Sequence, residues 1–213
     1  MELYRIGVKF FAEQDADMPL VEFIPIFHRW IQAGTLGELL IDVADYGHVW
    51  AGPGIVLVAH EGNYAVDETG GRRGLVYYCK HAFGGTLSER LRVVCVKALT
   101  ACRLLEEGPE TRGRLRFRGD EVEIFSNDRL AAPNTEETYA AIEPALHDLC
   151  RRLYPEGSCS LLRRSDPKER FAVTVKGPPP VTVDTLLQQV GNEGARLDAG
   201  RDRNGTPGKP TIA

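Results

Sequence analysis

Four β-rich runs in close succession are the feature that most restricts the fold of this chain. They cover residues 39–44, 54–60, 64–66 and 74–80, and short segments rich in Gly, Pro, Asn and Asp separate them. Such segments turn the chain back on itself, so the runs are predicted to be antiparallel neighbours in one sheet. The sequence carries no β-α-β dinucleotide-binding fingerprint, and a mostly parallel sheet is therefore not expected.

Single helices are predicted between the β segments. Apolar residues at helical spacing predict a first helix over residues 21–33. Thr86 and Glu89 have the spacing of a capping box, which opens a long second helix that ends at Gly108. A third helix is predicted over residues 136–153, where Tyr, Ile and Leu side chains form an apolar stripe.

Further β segments flank these helices. They cover residues 3–12, 114–118, 121–125, 160–163 and 170–175. Gly119 and Asp120 separate two of them and predict the clearest hairpin turn in the chain. Together these elements predict an α+β fold, with a largely antiparallel sheet of six to nine strands, ββα-type units and about three helices mainly on one face. The second face of such a sheet is either wet or covered by another subunit, so a homodimer is expected.

A change of composition after residue 176 divides the chain. Residues 1–176 are predicted to form a single α+β domain, and residues 177–213 a Pro-rich linker, a short amphipathic segment and a flexible tail. The segment places four apolar residues on one helical face: Val183, Leu186, Leu187 and Val190. Because so short a helix is marginal alone, this exposed stripe is predicted to dock on its own domain, on a neighbouring protomer or on another protein.

Charge and composition exclude several classes of protein. The 213 residues carry a net charge of −4, which argues against a protein that holds nucleic acid mainly through phosphate contacts. No apolar run approaches the roughly 20 residues of a membrane-spanning helix, and the first residues lack the pattern of a secretion signal. The five cysteines form no C-x-x-C pair and are interpreted as reduced core residues. These features indicate a cytoplasmic protein without membrane contact.

One group of side chains is suited to metal chemistry. The group consists of Asp42, Asp45, His48, His60 and Glu61. Zinc, manganese and iron accept such ligands, and a divalent metal held there with an open coordination position would activate water for hydrolysis. In the competing interpretation these acids and histidines only occupy turns and a hairpin tip.

A second candidate site lies before the long helix. Lys80, Gly84, Gly85 and Thr86 are predicted to bind an anion, because free N–H groups at a helix start and a nearby cation favour negative charge. The spacing matches neither a P-loop nor a dinucleotide fingerprint, so nucleotide binding has no motif support. In the alternative interpretation the glycines only turn the chain and the capping box occupies the helix start.

Two functions from different classes follow from these patterns. The first is a non-catalytic binding or assembly module that acts through its sheet surface and tethered tail helix, on a protein partner or a second copy. The second is a metal-dependent enzyme, such as a hydrolase, built on the acids and histidines of residues 42–61. The module requires fewer coincidences, since no catalytic signature of high specificity is present.

Overall fold

A computed structural model describes residues 3, 5–14, 16 and 18–191. Over these residues the chain forms eight strands and four α-helices. The strands are β1 (Ile6–Ala12), β2 (Leu40–Tyr46), β3 (Gly54–Ala59), β4 (Gly62–Asp67), β5 (Gly74–Cys79), β6 (Phe117–Ser126), β7 (Ser160–Arg163) and β8 (Ala172–Lys176). The helices are α1 (Phe23–Ala33), α2 (Leu87–Glu107), α3 (Glu136–Leu153) and α4 (Val183–Gly191).

The eight strands form a single sheet in the order β2-β3-β4-β5-β1-β6-β8-β7, and every neighbouring pair is antiparallel. Strands β2 to β5 follow one another as hairpins, as the turn-rich sequence predicts. The first strand of the chain lies between β5 and β6 and joins the two halves of the sheet. The predicted α+β fold with an antiparallel sheet is confirmed, and β2 and β7 are the edge strands of the described sheet.

One face of the sheet carries all four helices. The predicted capping box opens α2: the Glu89 N–H donates to the Thr86 hydroxyl, and the Thr86 N–H donates to the Glu89 carboxylate at 2.7 Å. The first helix ends at Gly34, whose φ of 62° suits a glycine. Each helix contributes to one apolar core: Phe27 from α1, Leu99 from α2, Leu146 from α3 and Leu186 from α4.

The hairpin predicted around Gly119 and Asp120 is wrong. A single ten-residue strand, β6, passes through both residues, and residues 114–116 precede it in a turn and loop. Gly119 does not form a turn but allows close packing, because a Cβ there would lie 2.1 Å from the carbonyl oxygen of Val181. The Gly119 carbonyl also accepts a hydrogen bond of 2.8 Å from the hydroxyl of Tyr154. Local sequence indicates a turn here, whereas contacts with distant residues impose an extended strand.

The amphipathic segment of the tail forms α4 and docks on its own domain. Val183, Leu186 and Val190 are almost completely buried against the helix-covered core, and Leu187 packs partly against it. The docking takes place mainly on α2, with further contacts to α3 and β6. The apolar stripe is therefore not exposed, and the packed part of the chain extends to residue 191. The predicted flexible tail lies in residues 194–213, outside the described residues.

Two cysteines depart from the predicted reduced state. The structure joins Cys150, near the end of α3, to Cys159, just before β7, in a disulfide that spans nine residues of sequence. The turn between the two elements brings their Cα atoms to 6.1 Å, within the normal disulfide range. Cys79, Cys95 and Cys102 form no disulfide among the described residues and are buried, as predicted. In the described part of the chain, no helix has the length and apolar character needed to cross a bilayer.

Candidate functional site

Exposed apolar side chains are concentrated at one edge of the sheet. The described residues include eight large apolar side chains that are strongly exposed: Val21, Leu39, Ile41, Tyr46, Val49, Trp50, Leu130 and Leu162. Five of the eight belong to the short segment of residues 39–50, which contains β2 and the start of the following loop. We call these five, Leu39, Ile41, Tyr46, Val49 and Trp50, the β2 surface. Clustered exposure of this kind is typical of an interaction site, whereas single exposed apolar residues are ordinary.

The position of β2 in the sheet exposes the first half of this surface. Only β3 pairs with β2 in the described sheet, so the other side of β2 is open. A β-bulge interrupts the pairing: Leu40 lies opposite Ala59, and Asp42 lies opposite Val58, which leaves Ile41 as the extra residue. Ile41 consequently has no partner in the register and is 54% exposed.

The loop after β2 presents the second half. The Val49 N–H donates to the Tyr46 carbonyl and the Gly52 N–H donates to the Val49 carbonyl, both at 2.9 Å. Ala51 has a φ of 53°, in the left-handed region that an alanine rarely adopts. These constraints hold Trp50 outward with 97% of its surface exposed. A strained, hydrogen-bonded loop that exposes a tryptophan is typical of a functional surface.

The β2 surface is also acidic. Between residues 30 and 71 the chain contains six acidic residues and no lysine or arginine. Asp42 accepts a hydrogen bond of 2.8 Å from the Val43 N–H, and Asp45 accepts one of 2.8 Å from the Gly47 N–H. Within the described residues, no lysine or arginine forms an ion pair with either aspartate. The edge therefore combines apolar side chains with two carboxylates that no lysine or arginine in the described part of the chain neutralises.

A buried polar network fixes the chain just before β2. The carboxylate of Glu38, which is only 3% exposed, accepts hydrogen bonds of 2.8 Å from the Tyr64 hydroxyl and from the Lys97 ammonium. Lys97 also lies 2.9 Å from Glu61, and its hydrogen bond lowers the pKa of that carboxyl. Burial beside Glu38 raises the pKa of Tyr64. The network joins α2 to the β3–β4 hairpin and the segment before β2, and so positions the start of the β2 surface.

A cleft of about 1100 Å³ adjoins the loop that carries Trp50. The loops of residues 46–52 and 68–73 form two of its walls, and Arg72, Arg73 and Arg118 line it. Each guanidinium already has a carboxylate partner in the protein. Arg72 donates two hydrogen bonds of 2.8 and 2.9 Å to Glu121, Arg73 pairs with Glu68, and Arg118 pairs with Asp120. The cleft therefore has basic side chains whose charge is largely neutralised.

The structure does not bring the predicted metal ligands together. Asp42 lies within β2, and Asp45 and His48 lie towards the loop that follows it. His60 and Glu61 form the turn at the other end of β3 from Asp45 and His48, which is a strand length of roughly 20 Å away, whereas Asp42, opposite Val58, lies nearer to that turn. Over residues 3, 5–14, 16 and 18–191, no group of three or more His, Cys, Asp or Glu side chains is arranged to hold a metal ion.

The loop predicted to bind an anion already contains a carboxylate of the protein. Its four residues lie between the end of β5 and the start of α2: Lys80, Gly84, Gly85 and Thr86. The Glu89 carboxylate accepts from both the N–H and the hydroxyl of Thr86, at 2.7 and 2.9 Å. The ammonium of Lys80 donates to the carbonyl of Ala59 at 2.6 Å instead of facing the helix start. Contacts within the chain thus use both of the groups expected to attract an anion.

Known proteins supply no role for these residues. No family model, no curated protein and no solved structure matches this chain. The β2 surface was missed by reasoning from the sequence, although two signals were present. One is the absence of lysine and arginine from residues 30–71, and the other is a run of Tyr, Gly, His, Val and Trp between two strands. Which strand lies at the sheet edge decides whether such residues are exposed, and the sequence does not give the strand order.

Proposed function

We propose that this protein is a non-catalytic binding module that holds a polypeptide partner on the β2 surface. The observation that carries the proposal is the concentration of five of the eight strongly exposed apolar side chains in residues 39–50. Tryptophan and tyrosine contribute most of the binding energy in many protein interfaces, and Trp50 and Tyr46 are both exposed here.

The dimensions of the surface favour an extended partner. Leu39 and Ile41 lie at one end of β2, and Tyr46 and Trp50 lie at or beyond the other end. A seven-residue strand is roughly 20 Å long, so the two apolar ends are too far apart for one small molecule. An extended segment of polypeptide along a sheet edge reaches both, as in complexes where a peptide lies beside an edge strand.

The other surfaces considered from the sequence receive less support. The apolar stripe of α4 is buried in its own domain, so the proposal does not involve the tail helix. A second copy of the chain is a possible occupant of the edge and is an outcome of the experiment below. The metal-dependent enzyme has no observation in its favour among the described residues, whose histidines and acids are spread over both ends of β3.

Site-specific photo-crosslinking tests this proposal. Trp50 is replaced by the photo-crosslinking residue p-benzoylphenylalanine in the full chain, expressed in the cells that naturally produce it. Leu130 is the matched control position, because it is also 97% exposed but lies outside the β2 surface. We expect one discrete polypeptide, identified by mass spectrometry, to crosslink at position 50 and not at position 130.

A second substitution tests whether the crosslinked polypeptide uses the whole surface. Ile41→Asp introduces a charge at the far end of β2 and should abolish the crosslink at position 50 without unfolding the protein, since Ile41 is exposed. Crosslinks between two copies of the chain would identify the partner as a second protomer. Equal products at positions 50 and 130, or a product at position 50 that is insensitive to Ile41→Asp, would contradict the proposal.

A further inference from the structure

We infer that the polypeptide recognised by the β2 surface is a basic segment that carries apolar residues. This inference rests on the proposed function and adds the chemistry of the partner. Asp42 and Asp45 lie between the two apolar ends of the surface, and both are exposed. Lysine or arginine in the partner would pair with them while its apolar residues contact Ile41 and Trp50. Charge complementarity of this kind selects partners and speeds their association.

The aspartates of the β2 surface differ from the carboxylates elsewhere on the sheet. Glu121 pairs with Arg72, and Glu123 pairs with Arg164 at 2.6 Å. On β2, the hydrogen bonds that Asp42 and Asp45 accept come from neighbouring backbone N–H groups, and among residues 3, 5–14, 16 and 18–191 no lysine or arginine compensates the charge of either carboxylate. These carboxylates are therefore the ones available to a basic partner along this edge.

The same charges disfavour pairing with a second copy. An isologous contact would bring the aspartates of two β2 strands to one seam, and like charges that meet across a strand pair are destabilising. The other edge strand does not offer a complement either. On β7, Arg163 pairs with Glu136 at 2.7 Å, and Arg164, just after the strand, pairs with Glu123. A different chain that brings its own cations fits the surface better than a copy of this one.

Edge protection is the competing explanation for the two aspartates. Charged side chains on an edge strand prevent uncontrolled pairing with other sheets, and the Asp42 carboxylate occupies the Val43 N–H. Edge protection requires no cation in a partner, and it predicts aggregation when the charges are removed. Recognition of a basic segment predicts instead that removing the charges weakens binding and makes it less selective. The two explanations therefore predict different results for the same substitutions.

Selection from a random dodecapeptide display library separates these explanations. The full chain is immobilised and selected against the library as the wild type, as Asp42→Asn/Asp45→Asn, and as Trp50→Ala. Asparagine keeps an oxygen that accepts the same backbone hydrogen bonds but removes the charge. The matched control is Asp166→Asn, because Asp166 is also an exposed aspartate that accepts a 2.8 Å bond from a nearby backbone N–H, that of Lys168.

We expect the wild type to select peptides enriched in Lys or Arg together with Leu, Ile, Val or aromatic residues. For one selected peptide, fluorescence anisotropy at low salt should give a Kd weakened about fivefold by Asp42→Asn/Asp45→Asn, since two exposed ion pairs are lost. High salt should reduce this difference. Trp50→Ala should abolish measurable binding, and Asp166→Asn should leave the Kd unchanged.

Each contrary outcome has a distinct meaning. Selected peptides that are neutral or acidic, but still require Trp50, would overturn the inferred partner chemistry and leave the proposed function standing. The same holds if Asp42→Asn/Asp45→Asn aggregates while its soluble fraction binds like the wild type, which would assign the aspartates to edge protection. If the selection yields no peptide whose binding depends on Trp50, both the partner chemistry and the proposed function are overturned.

Discussion

The two faces of the sheet are buried by different kinds of contact. The face under α1 to α4 is apolar and is covered by helices. The opposite face contains a small apolar cluster to which no described helix contributes: Val56, Ala65, Val76, Phe125 and Ala172. Four charged side chains are buried beside it: Lys9, Asp67, Glu121 and Glu123. The sequence led us to expect a second face that is either wet or covered by another subunit, and in the structure side chains of this chain themselves bury much of this face.

Arginine side chains close the second face. The guanidinium of Arg72 lies 3.7 Å from the centre of the Phe11 ring, and that of Arg170 lies 3.7 Å from the centre of the Phe125 ring. Arg170 also approaches Glu123 at 3.4 Å. Stacked guanidinium groups cover aromatic surface with their own planar faces and neutralise the carboxylates beneath them. Side chains of this chain therefore bury much of the second face, and most of the strongly exposed apolar residues lie at the β2 edge instead.

The largest expected effect comes from the buried ion pair on the second face. The Lys9 ammonium lies 2.5 Å from the Asp67 carboxylate and donates to the Arg72 carbonyl at 2.7 Å. Lys9→Met would leave Asp67 buried without a cation, which is expected to lower the free energy of unfolding by about 3 to 5 kcal/mol. Urea unfolding of the wild type and the variant at pH 7 measures this loss.

The double variant Lys9→Met/Asp67→Asn is the control for that experiment. It removes both charges, and the amide oxygen of asparagine can still accept the hydrogen bond that the Thr69 hydroxyl donates to Asp67. We expect it to recover most of the lost stability. If the double variant is less stable than Lys9→Met, the pair does not act through charge compensation, and the contrast between the two faces is weaker than described.

On the helix-covered face, Leu186→Ala is expected to lower the free energy of unfolding by about 3 kcal/mol, because it leaves a cavity beneath α4. Leu186 is fully buried, whereas Gln188 on the same helix is exposed, so Gln188→Ala is the matched control with little expected effect. Hydrogen exchange sharpens the result. If Leu186→Ala accelerates exchange only in residues 183–191 and leaves global stability unchanged, α4 is an appendage and the domain ends near residue 176.

Packing on the second face gives a smaller effect. A Cβ at Gly7 would lie 2.2 Å from the Phe125 ring, so Gly7→Ala forces the ring away from its place beneath Arg170. The expected loss is about 1 to 3 kcal/mol in urea unfolding. Gly84→Ala is the control, since no atom lies within 4 Å of its Cβ position. Phe125→Leu in the Gly7→Ala background should restore part of the stability, and the absence of any rescue would show that the ring is not what the alanine displaces.

Local signals in the sequence predicted most of the helices and strands. The capping box at Thr86 and the apolar periodicity of α3 depend on residues within a few positions of one another, and both predictions hold. The predicted hairpin at Gly119 was wrong because close packing of that glycine against Val181, which is distant in sequence, determines the local structure. The burial of the apolar face of α4 could not be predicted from the local sequence either, because this face packs against α2, α3 and β6.

The candidate site was less accessible to reasoning from the sequence. The predicted metal group was based on acids and histidines that are close together in the sequence. In the structure, the length of β3 separates Asp45 and His48 from His60 and Glu61. The ion pair between Lys9 and Asp67 and the network around Glu38 join residues from separate segments. The exposure of Ile41 depends on a bulge and on the strand order. Each of these features arises from tertiary contacts that no single pattern in the sequence encodes.

The smallest predicted effect is a difference in pH dependence between two glutamates. On the second face, the Arg72 guanidinium holds the pKa of Glu121 below its ordinary value of 4.5. At the junction of α2 and β6, burial raises the pKa of Glu106 above the same value, although its carboxylate accepts a 2.7 Å hydrogen bond from the Phe117 N–H. The two carboxyls should therefore contribute to stability with opposite slopes against pH.

The signs follow from proton binding in the folded and unfolded states. Near and below pH 4.5 the unfolded chain binds more protons at Glu121, so its contribution is complete above that pH and is lost as the pH falls through the folded pKa. At Glu106 the folded chain binds more protons, so stability falls as the pH rises from about 4.5 through the folded pKa. We expect urea unfolding between about pH 3 and 7 to show two changes. Glu121→Gln should reduce the loss of unfolding free energy as the pH falls below about 4.5, and Glu106→Gln should reduce the loss of unfolding free energy as the pH rises above about 4.5. Parallel changes in both variants would contradict the assignment of different electrostatic environments to these two carboxyls.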